Sequence, residues 1–406
     1  MNHILLISIS GPDQTGVTAG ITSILARHGA SILDIGQAVI HSNLTMGMLA
    51  ELPGDCPLEE VSALVQAFAD ERDMRIRISP VGADSYGSWV EEQGRARYIV
   101  TLLARKITGD QLARVTSVVS SHGLNIDGIQ RLSGRIPVGE ELPALSKACV
   151  EFSVRGSLAD AAAFRRNLLE VASELEVDLA FQEDSIFRRN RRLVAFDMDS
   201  TLIEAEVIDE LAKVAGVGEQ VSAITESAMR GEIDFSESFR ARVALLEGLS
   251  EDALEQVAAG LKITEGAEHL VSTLNALGYR TAILSGGFTY FARYLQQRLG
   301  IDHVYANELD IADGAVTGKI SGTIVDGTRK AELLKQIAAD EGIDMQQVIA
   351  VGDGANDLPM LSIAGLGVAF RAKPLVQKSA EQSISTLGLD AILYLLGFSD
   401  KDQVRA

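Results

Sequence analysis

The stretch LVAFDMDST, residues 193–201, decides how this chain is read. Leu193 to Phe196 form a continuous apolar run, which suits a strand covered on both faces of a parallel sheet. Asp197 and Asp199 follow at i and i+2 on the extended continuation and therefore point the same way. Close carboxylates repel, so such a pair shares a cation or a proton. A polar strand end with an aspartate opening a helix would give the same letters. The pair gains weight only from the segments downstream.

Two more segments repeat the pattern of an apolar run ending in polar residues. TAIL (281–284) is followed by Ser285-Gly286-Gly287, where a hydroxyl and bare glycine amides at a strand-to-helix turn can hold a phosphate oxygen. VIAV (348–351) is followed by Gly352-Asp353-Gly354-Ala355-Asn356-Asp357. One Asp/Gly-rich loop is ordinary, whereas three polar segments that each follow a strand are not explained by stability. Lys330 stands just before a helix expected over 331–340 and is a point charge suited to a phosphoryl group. Helical stretches between the runs imply right-handed crossovers. Residues 185–406 are therefore expected to form an open, Rossmann-like α/β domain whose ligand binds beyond the carboxyl ends of its strands.

Upstream the pattern differs. Residues 3–12, a helix over 15–28 with Val17, Ile21, Ile24 and Leu25 on one face, and HGASILDIGQ (28–37) are followed by strands at 43–51 and 72–79 and a helix at 58–69. A second copy runs through 98–104, a helix over 109–121 with Leu112, Val115, Val118 and Val119, HGLNIDGIQ (122–130), strands at 147–155 and 177–182, and a helix at 158–174. Each copy reads β-α-β-β-α-β, the split α+β arrangement. Gly29 and Gly123 fit helix ends that need positive φ. Residues 81–95 read as the connector between the copies. The arginine-rich DSIFRRNRR (184–192) reads as a solvated linker before a buried strand.

Composition narrows the function. The chain has 406 residues, too many for one ordinary domain, with 36 basic and 56 acidic residues and a formal charge of −20. Acid excess argues against a grip on nucleic acid, which needs its phosphates neutralised. A local cluster of cations can still receive a small anion. The excess is spread evenly: 15 basic against 24 acidic residues over 1–185, and 21 against 32 over 186–406. Cys56 and Cys149 are too few for a disulfide framework or a zinc site, which fits reduced thiols in a cytoplasmic protein. MNHILLISIS lacks a basic n-region and a cleavage signal, and no run of 18 apolar residues occurs, so neither a signal peptide nor a membrane span is expected.

DMDST (197–201), SGG (285–287), Lys330 and GDGAND (352–357), in this order at strand ends, resemble the motifs of the haloacid dehalogenase-like phosphatases over about 190–395. DMDSTLIEAEVIDELA (197–212) and ITESAMRGEIDFSESFRARVALLEGL (224–249) are similar to its phosphoserine-hydrolysing members. The two repeats, through GPDQTG (11–16) and the His-Gly-x-x-Ile step, resemble the amino-acid-sensing ACT domains. The resemblance divides the chain into ACT-like domains at 1–82 and 96–184 and a catalytic domain at 185–406 with a small helical cap at about 206–276.

The resemblance implies hydrolysis of O-phospho-L-serine to L-serine, with Mg²⁺ held by Asp197, the Asp199 backbone carbonyl and Asp353. Asp197 is then the nucleophile that forms an aspartyl-phosphate, and Asp199 the acid and base. Ser285, Gly286 and Lys330 hold the phosphoryl oxygens, Asn356 phosphate or the attacking water, and Asp357 orients Lys330 or a metal-bound water. Glu206 takes the substrate ammonium, Arg242 its carboxylate, and Met229 and Phe235 wall the pocket. On spacing alone, Arg242 could equally pair with Glu237 or Glu247, and Met229 and Phe235 could be cap core. L-serine is the expected effector of the ACT-like repeats, at loop 11–17 or 105–110, in a homodimer. A phosphopeptide phosphatase and an inert amino-acid-binding regulator compete with this reading. The regulator is disfavoured because no motif residue is missing.

Overall fold

The computed structural model describes residues 2–137, 139 and 143–402, apart from the side chain of Met229. Residues 1–95 and 96–406 form two compact units.

The first unit holds a four-stranded antiparallel sheet built from β1 (His3–Pro12), β2 (Ser31–Ile40), β3 (Asn43–Leu52) and β4 (Arg75–Val81), in the order β2-β3-β1-β4. Helices Val17–Arg27 and Leu58–Asp70 cover one face. The first buries Val17, Ile21, Ile24 and Leu25, the stripe that the 3.6-residue period predicts. The connector carries a helix, Ala83–Gln93, that buries none of its residues. Its apolar residues Tyr86, Trp89 and Val90 are at most half-buried.

The second unit begins with the same plan. β5 (Arg97–Ala104), β6 (Asn125–Arg131), β7 (Ala148–Arg155) and β8 (Asp178–Glu183) pair in the order β6-β7-β5-β8, equivalent position by position to the first sheet. Gly29 and Gly123 take φ of 70° and 71° at the ends of equivalent helices, as the His-Gly repeat requires.

The rest of the chain forms a seven-stranded sheet: β9 (Leu193–Phe196), β10 (Arg280–Phe288), β11 (His303–Ala312), β12 (Ala315–Ser321), β13 (Val348–Gly352), β14 (Leu366–Phe370) and β15 (Gln382–Ile384). Their order is β12-β11-β10-β9-β13-β14-β15, and every pair is parallel except β11 with β12. Alternation explains the apolar runs. Leu193 and Ala195 enter one core while Val194 and Phe196 enter the other, and β10 and β13 divide in the same way. A strand buried on both faces has no position for a polar side chain until it ends. Helices Val207–Ala215, Gly218–Met229, Phe235–Ala244 and Glu251–Gly260 lie between β9 and β10, and Ala267–Ala276 packs on β10.

The second repeat shares the core of this sheet. Leu103, Leu132, Cys149 and Ala180 join the cluster that contains Phe196, Phe291 and Tyr394. Gln382 bonds both backbone groups of Phe181, at 2.9 and 2.6 Å, and Asp178 accepts the Ser385 and Thr386 N–H groups at 2.8 Å each. DSIFRRNRR is accordingly not a solvated linker throughout. Arg188 is 2% exposed and pairs with Glu151, and Arg191 is buried and donates to the Gln346 carbonyl. Both cysteines are free thiols, and no helix among the described residues is long and apolar enough to cross a membrane.

Candidate active site

β9 is the centre of the sheet, and the chain continues to β10 on one side and β13 on the other. A cleft at the carboxyl ends of three such strands is where ligands bind in open α/β sheets. Phe196 is level with Ile283 and Val351, so Asp197 emerges between the ends of β10 and β13. Its backbone N–H donates to the Val351 carbonyl at 2.9 Å.

Asp197 is held from one side. Its Oδ1 accepts the Met198 N–H at 2.7 Å and lies 2.8 Å from Lys330 Nζ, whereas Oδ2 has no partner among the described residues. Lys330 also donates to Asp357 Oδ1 at 2.7 Å, and Asp357 Oδ2 accepts the Gly354 N–H at 2.9 Å. Lys330 does not precede its helix. The helix is Gly327–Asp340, capped by the Asp326 side chain on the Arg329 N–H, and it carries Lys330 in its first turns with no solvent exposure. Burial would discharge this lysine, but the two carboxylates hold it charged and raise its pKa.

The remaining carboxylates are less matched. Asp197, Asp353 and Asp357 bring oxygens within 4.8 Å of one another. Burial pushes the Asp353 carboxyl up to about 7, with the Asp357 charge adding to it. Asp199 accepts the Val207 N–H at 2.9 Å and is pushed up to about 8 by burial and by the neighbouring Glu206. Asp197 is raised well above the carboxylate range, first by burial and then by Asp357, with Lys330 opposing. A set of hard oxygen donors with one lysine against three carboxylates suits a divalent cation.

A cavity of about 550 Å³ opens over these groups. Asp197, Asp199, Glu206, Phe235, Arg242, Gly286, Asp353 and Asn356 line it, so eight residues named from sequence meet in one place. Ser285 is buried, and its hydroxyl accepts the Gly287 N–H at 2.9 Å within a strand that runs on to Phe288 rather than turning. Lys330, Asp357 and Ser285 thus stand behind the wall. The Met229 side chain lies outside the described residues. Gly287 permits the closeness of the walls, since a Cβ there would lie 2.5 Å from Asp199 Oδ2.

The helical insertion closes over the strand ends. The Phe235 ring reaches the position a Gly286 Cβ would crowd at 3.3 Å, and it stacks on Phe239 with centroids 6.0 Å apart. Arg242 is half-buried and makes no ion pair with Glu237 or Glu247. Burial lowers its pKa, and Asp209, Glu206 and Asp199 oppose that. Glu206 accepts the Ser200 hydroxyl at 2.8 Å, and its surroundings raise its pKa. Ser200 holds a left-handed φ of 56°, a strained position for a non-glycine residue beside a site.

Sequence reasoning passed over Asp209, Ser238 and Lys373, which also line the cavity. Lys373 follows a fourth apolar run, LGVAF (366–370), and the rule that found the other loops would have found it.

The haloacid dehalogenase-like hydrolase model matches residues 194–362, and the ACT domain model matches residues 3–79. The phosphoserine phosphatase of Streptomyces coelicolor is 39% identical over 402 residues, covering 99% of this chain and 94% of its own. The chain belongs to the phosphoserine phosphatase family. The member from Mycobacterium tuberculosis is 40% identical over 398 residues, covering 97% of this chain and 93% of its own. The unliganded structure of a probable phosphoserine phosphatase from Vibrio cholerae superposes with a TM-score of 0.60 at 35% identity, covering 75% of this chain and 87% of that one. A member of the phosphoserine phosphatase family is an enzyme, and the cavity at the end of β9 is the candidate place for its chemistry.

Proposed function

We propose that this enzyme hydrolyses O-phospho-L-serine to L-serine and phosphate through an aspartyl-phosphate, as the last step of serine biosynthesis. One observation carries the reading. Asp197 is held through Oδ1 by Lys330 and the Met198 N–H, and it lines a cavity that also presents Glu206 and Arg242.

Asp197 Oδ2 attacks phosphorus, and Lys330 opposes the burial that favours its protonated form. Asp199, protonated at neutral pH by its raised pKa, gives its proton to the leaving serine oxygen. It then takes a proton from the water that hydrolyses the phosphoenzyme. Gly286 and Asn356 bind phosphoryl oxygens from the cavity wall, and Lys330 and Ser285 support them from behind. Asp357 orients Lys330. Asp197, the Asp199 carbonyl and Asp353 are the proposed holders of Mg²⁺, which when bound neutralises phosphoryl charge. Glu206 binds the ammonium, Arg242 the carboxylate, and Phe235 with Met229 excludes water.

The proposed divisions are ACT-like domains at 1–82 and 96–184 and a capped catalytic domain at 185–406, in a cytoplasmic homodimer whose ACT-like repeats bind L-serine as effector, at loop 11–17 or 105–110. Phosphate release from phosphoserine, phosphothreonine, phosphotyrosine and a phosphoserine peptide, with and without Mg²⁺ and serine, tests the reading. Metal-dependent release that favours free phosphoserine and responds to serine is expected. Preference for the peptide would overturn the substrate.

A further inference from the structure

The cavity holds more acid than its cations balance. Asp197, Asp199, Glu206, Asp209 and Asp353 line it, and the only basic residues on its wall, among those described, are Arg242 and Lys373. Lys330 is already committed between Asp197 and Asp357.

The two wall cations come from different parts of the fold. Arg242 belongs to helix Phe235–Ala244 of the insertion, and Lys373 to the loop after β14, on the sheet itself. Lys373 is exposed and makes no ion pair within 4 Å among the described residues. Both cations favour the charged form of Glu206 against the burial that raises its pKa. Lys373 therefore lies within electrostatic reach of Glu206, on the wall of the same cavity.

The base of its loop is fixed. Arg371, with a left-handed φ of 45°, donates to Glu265 Oε2 at 2.8 Å and lies 3.6 Å from the Glu204 carboxylate. Glu265 is gripped in turn by both Arg105 nitrogens, at 2.7 and 2.8 Å.

We propose that Lys373 is a second substrate-binding cation, which takes the α-carboxylate of an amino-acid phosphomonoester from the sheet side while Arg242 takes it from the helical side. The proposal rests on the phosphoserine reading above. An ammonium placed at Glu206 carries its carboxylate on the same carbon, and Arg242 and Lys373 are the cations on the wall of that cavity for it to meet. A zwitterion is then pinned across the boundary between sheet and insertion, and an amine without the carboxylate is not.

Steady-state kinetics of the full-length Mg²⁺-loaded enzyme on phosphoserine and phosphoethanolamine test this. Lys373→Met is expected to lose about 10- to 100-fold in kcat/KM on phosphoserine, mostly through KM, as one charge-assisted contact implies. Its loss on phosphoethanolamine is expected to stay under about threefold, and Lys373→Arg is expected to recover most of the phosphoserine activity. Equal losses on both substrates would assign Lys373 to the phosphoryl group and overturn the proposal, as would no loss on either. Failure of the phosphoserine reading shows separately, as a wild type that does not prefer phosphoserine over phosphoethanolamine.

Discussion

Lys330 Nζ lies 2.8 Å from Asp197 Oδ1, and the lysine has no solvent exposure. A buried cation is thus pressed against the proposed nucleophile from the side away from the cavity. Attraction at this distance in a dry interior opposes the burial that would otherwise protonate Asp197. One oxygen is occupied, and the other is left to react.

Lys330→Met is expected to remove activity by at least about 100-fold and to destabilise the fold by about 3–5 kcal/mol, because Asp197 and Asp357 lose their buried partner. Adding Asp357→Asn should restore part of the stability and none of the activity. Urea unfolding beside phosphate release checks both, and a Lys330→Met enzyme with wild-type stability would contradict the role given to this contact.

Asp199 is pushed up to about 8, so it carries its proton below that pH and loses it above. Phosphoserine turnover, which needs a proton on the leaving alkoxide, should fall as pH rises through about 8. An aryl phosphate with a good leaving group should lack that alkaline limb in its first step. Asp199→Asn should cost about 10²- to 10⁴-fold on phosphoserine and far less in the aryl phosphate burst. Parallel pH profiles for the two substrates would rule out Asp199 as the acid.

Arg242→Ala is expected to raise KM for phosphoserine by about 10- to 100-fold through loss of a bidentate carboxylate contact. Arg242→Lys should recover only part, since a lysine cannot reproduce the planar fork. Unchanged KM in the alanine variant would return Arg242 to a structural role.

Glu265 is held below the usual carboxylate range, chiefly by its hydrogen bond from Arg105. Its folded form stays charged where the unfolded chain begins to protonate. The contact therefore stabilises fully above the ordinary value of 4.5, and that stability is lost as pH falls through the depressed value. Glu265→Gln should cost about 1 kcal/mol or less at pH 7, given solvent screening, and should flatten the acid limb of the melting curve. A variant whose melting temperature still drops in parallel with wild type below pH 4.5 would remove Glu265 as a cause.

The parts of the fold that were legible share one physical origin. β9, β10 and β13 are buried on both faces, so their apolar runs stand out and the polar residues that follow each run mark the site. Asp197 and Asp353 follow their strands directly, and Ser285 follows the apolar run of β10 although that strand goes on to Phe288. Contacts between distant segments were not visible. Arg188 and Arg191 look like solvated linker charges until the chain brings Glu151 and the Gln346 carbonyl to them. The helix Ala83–Gln93 buries none of its residues, and its short Tyr86, Trp89 and Val90 pattern lies among glycine, serine and acidic residues that read as a connector. Lys330 lies inside its helix because Asp326, four positions earlier, is the N-cap that starts it. The Ser285 hydroxyl accepts the Gly287 N–H, a contact within its own strand that the apolar run alone does not foretell.

The shared core of the second repeat and the seven-stranded sheet bears on how such chains diverge. A gene segment encoding residues 96–184 alone cannot be exchanged as a cassette. The newcomer would have to supply an acceptor for the Ser385 and Thr386 amides, a backbone that meets Gln382, and apolar partners for Phe196 and Tyr394. Substitutions on the two sides of this seam must therefore arise as matched pairs. In lineages that keep the repeat, Asp178 and Gln382 should drift together with what they touch, and recombination should break the chain elsewhere.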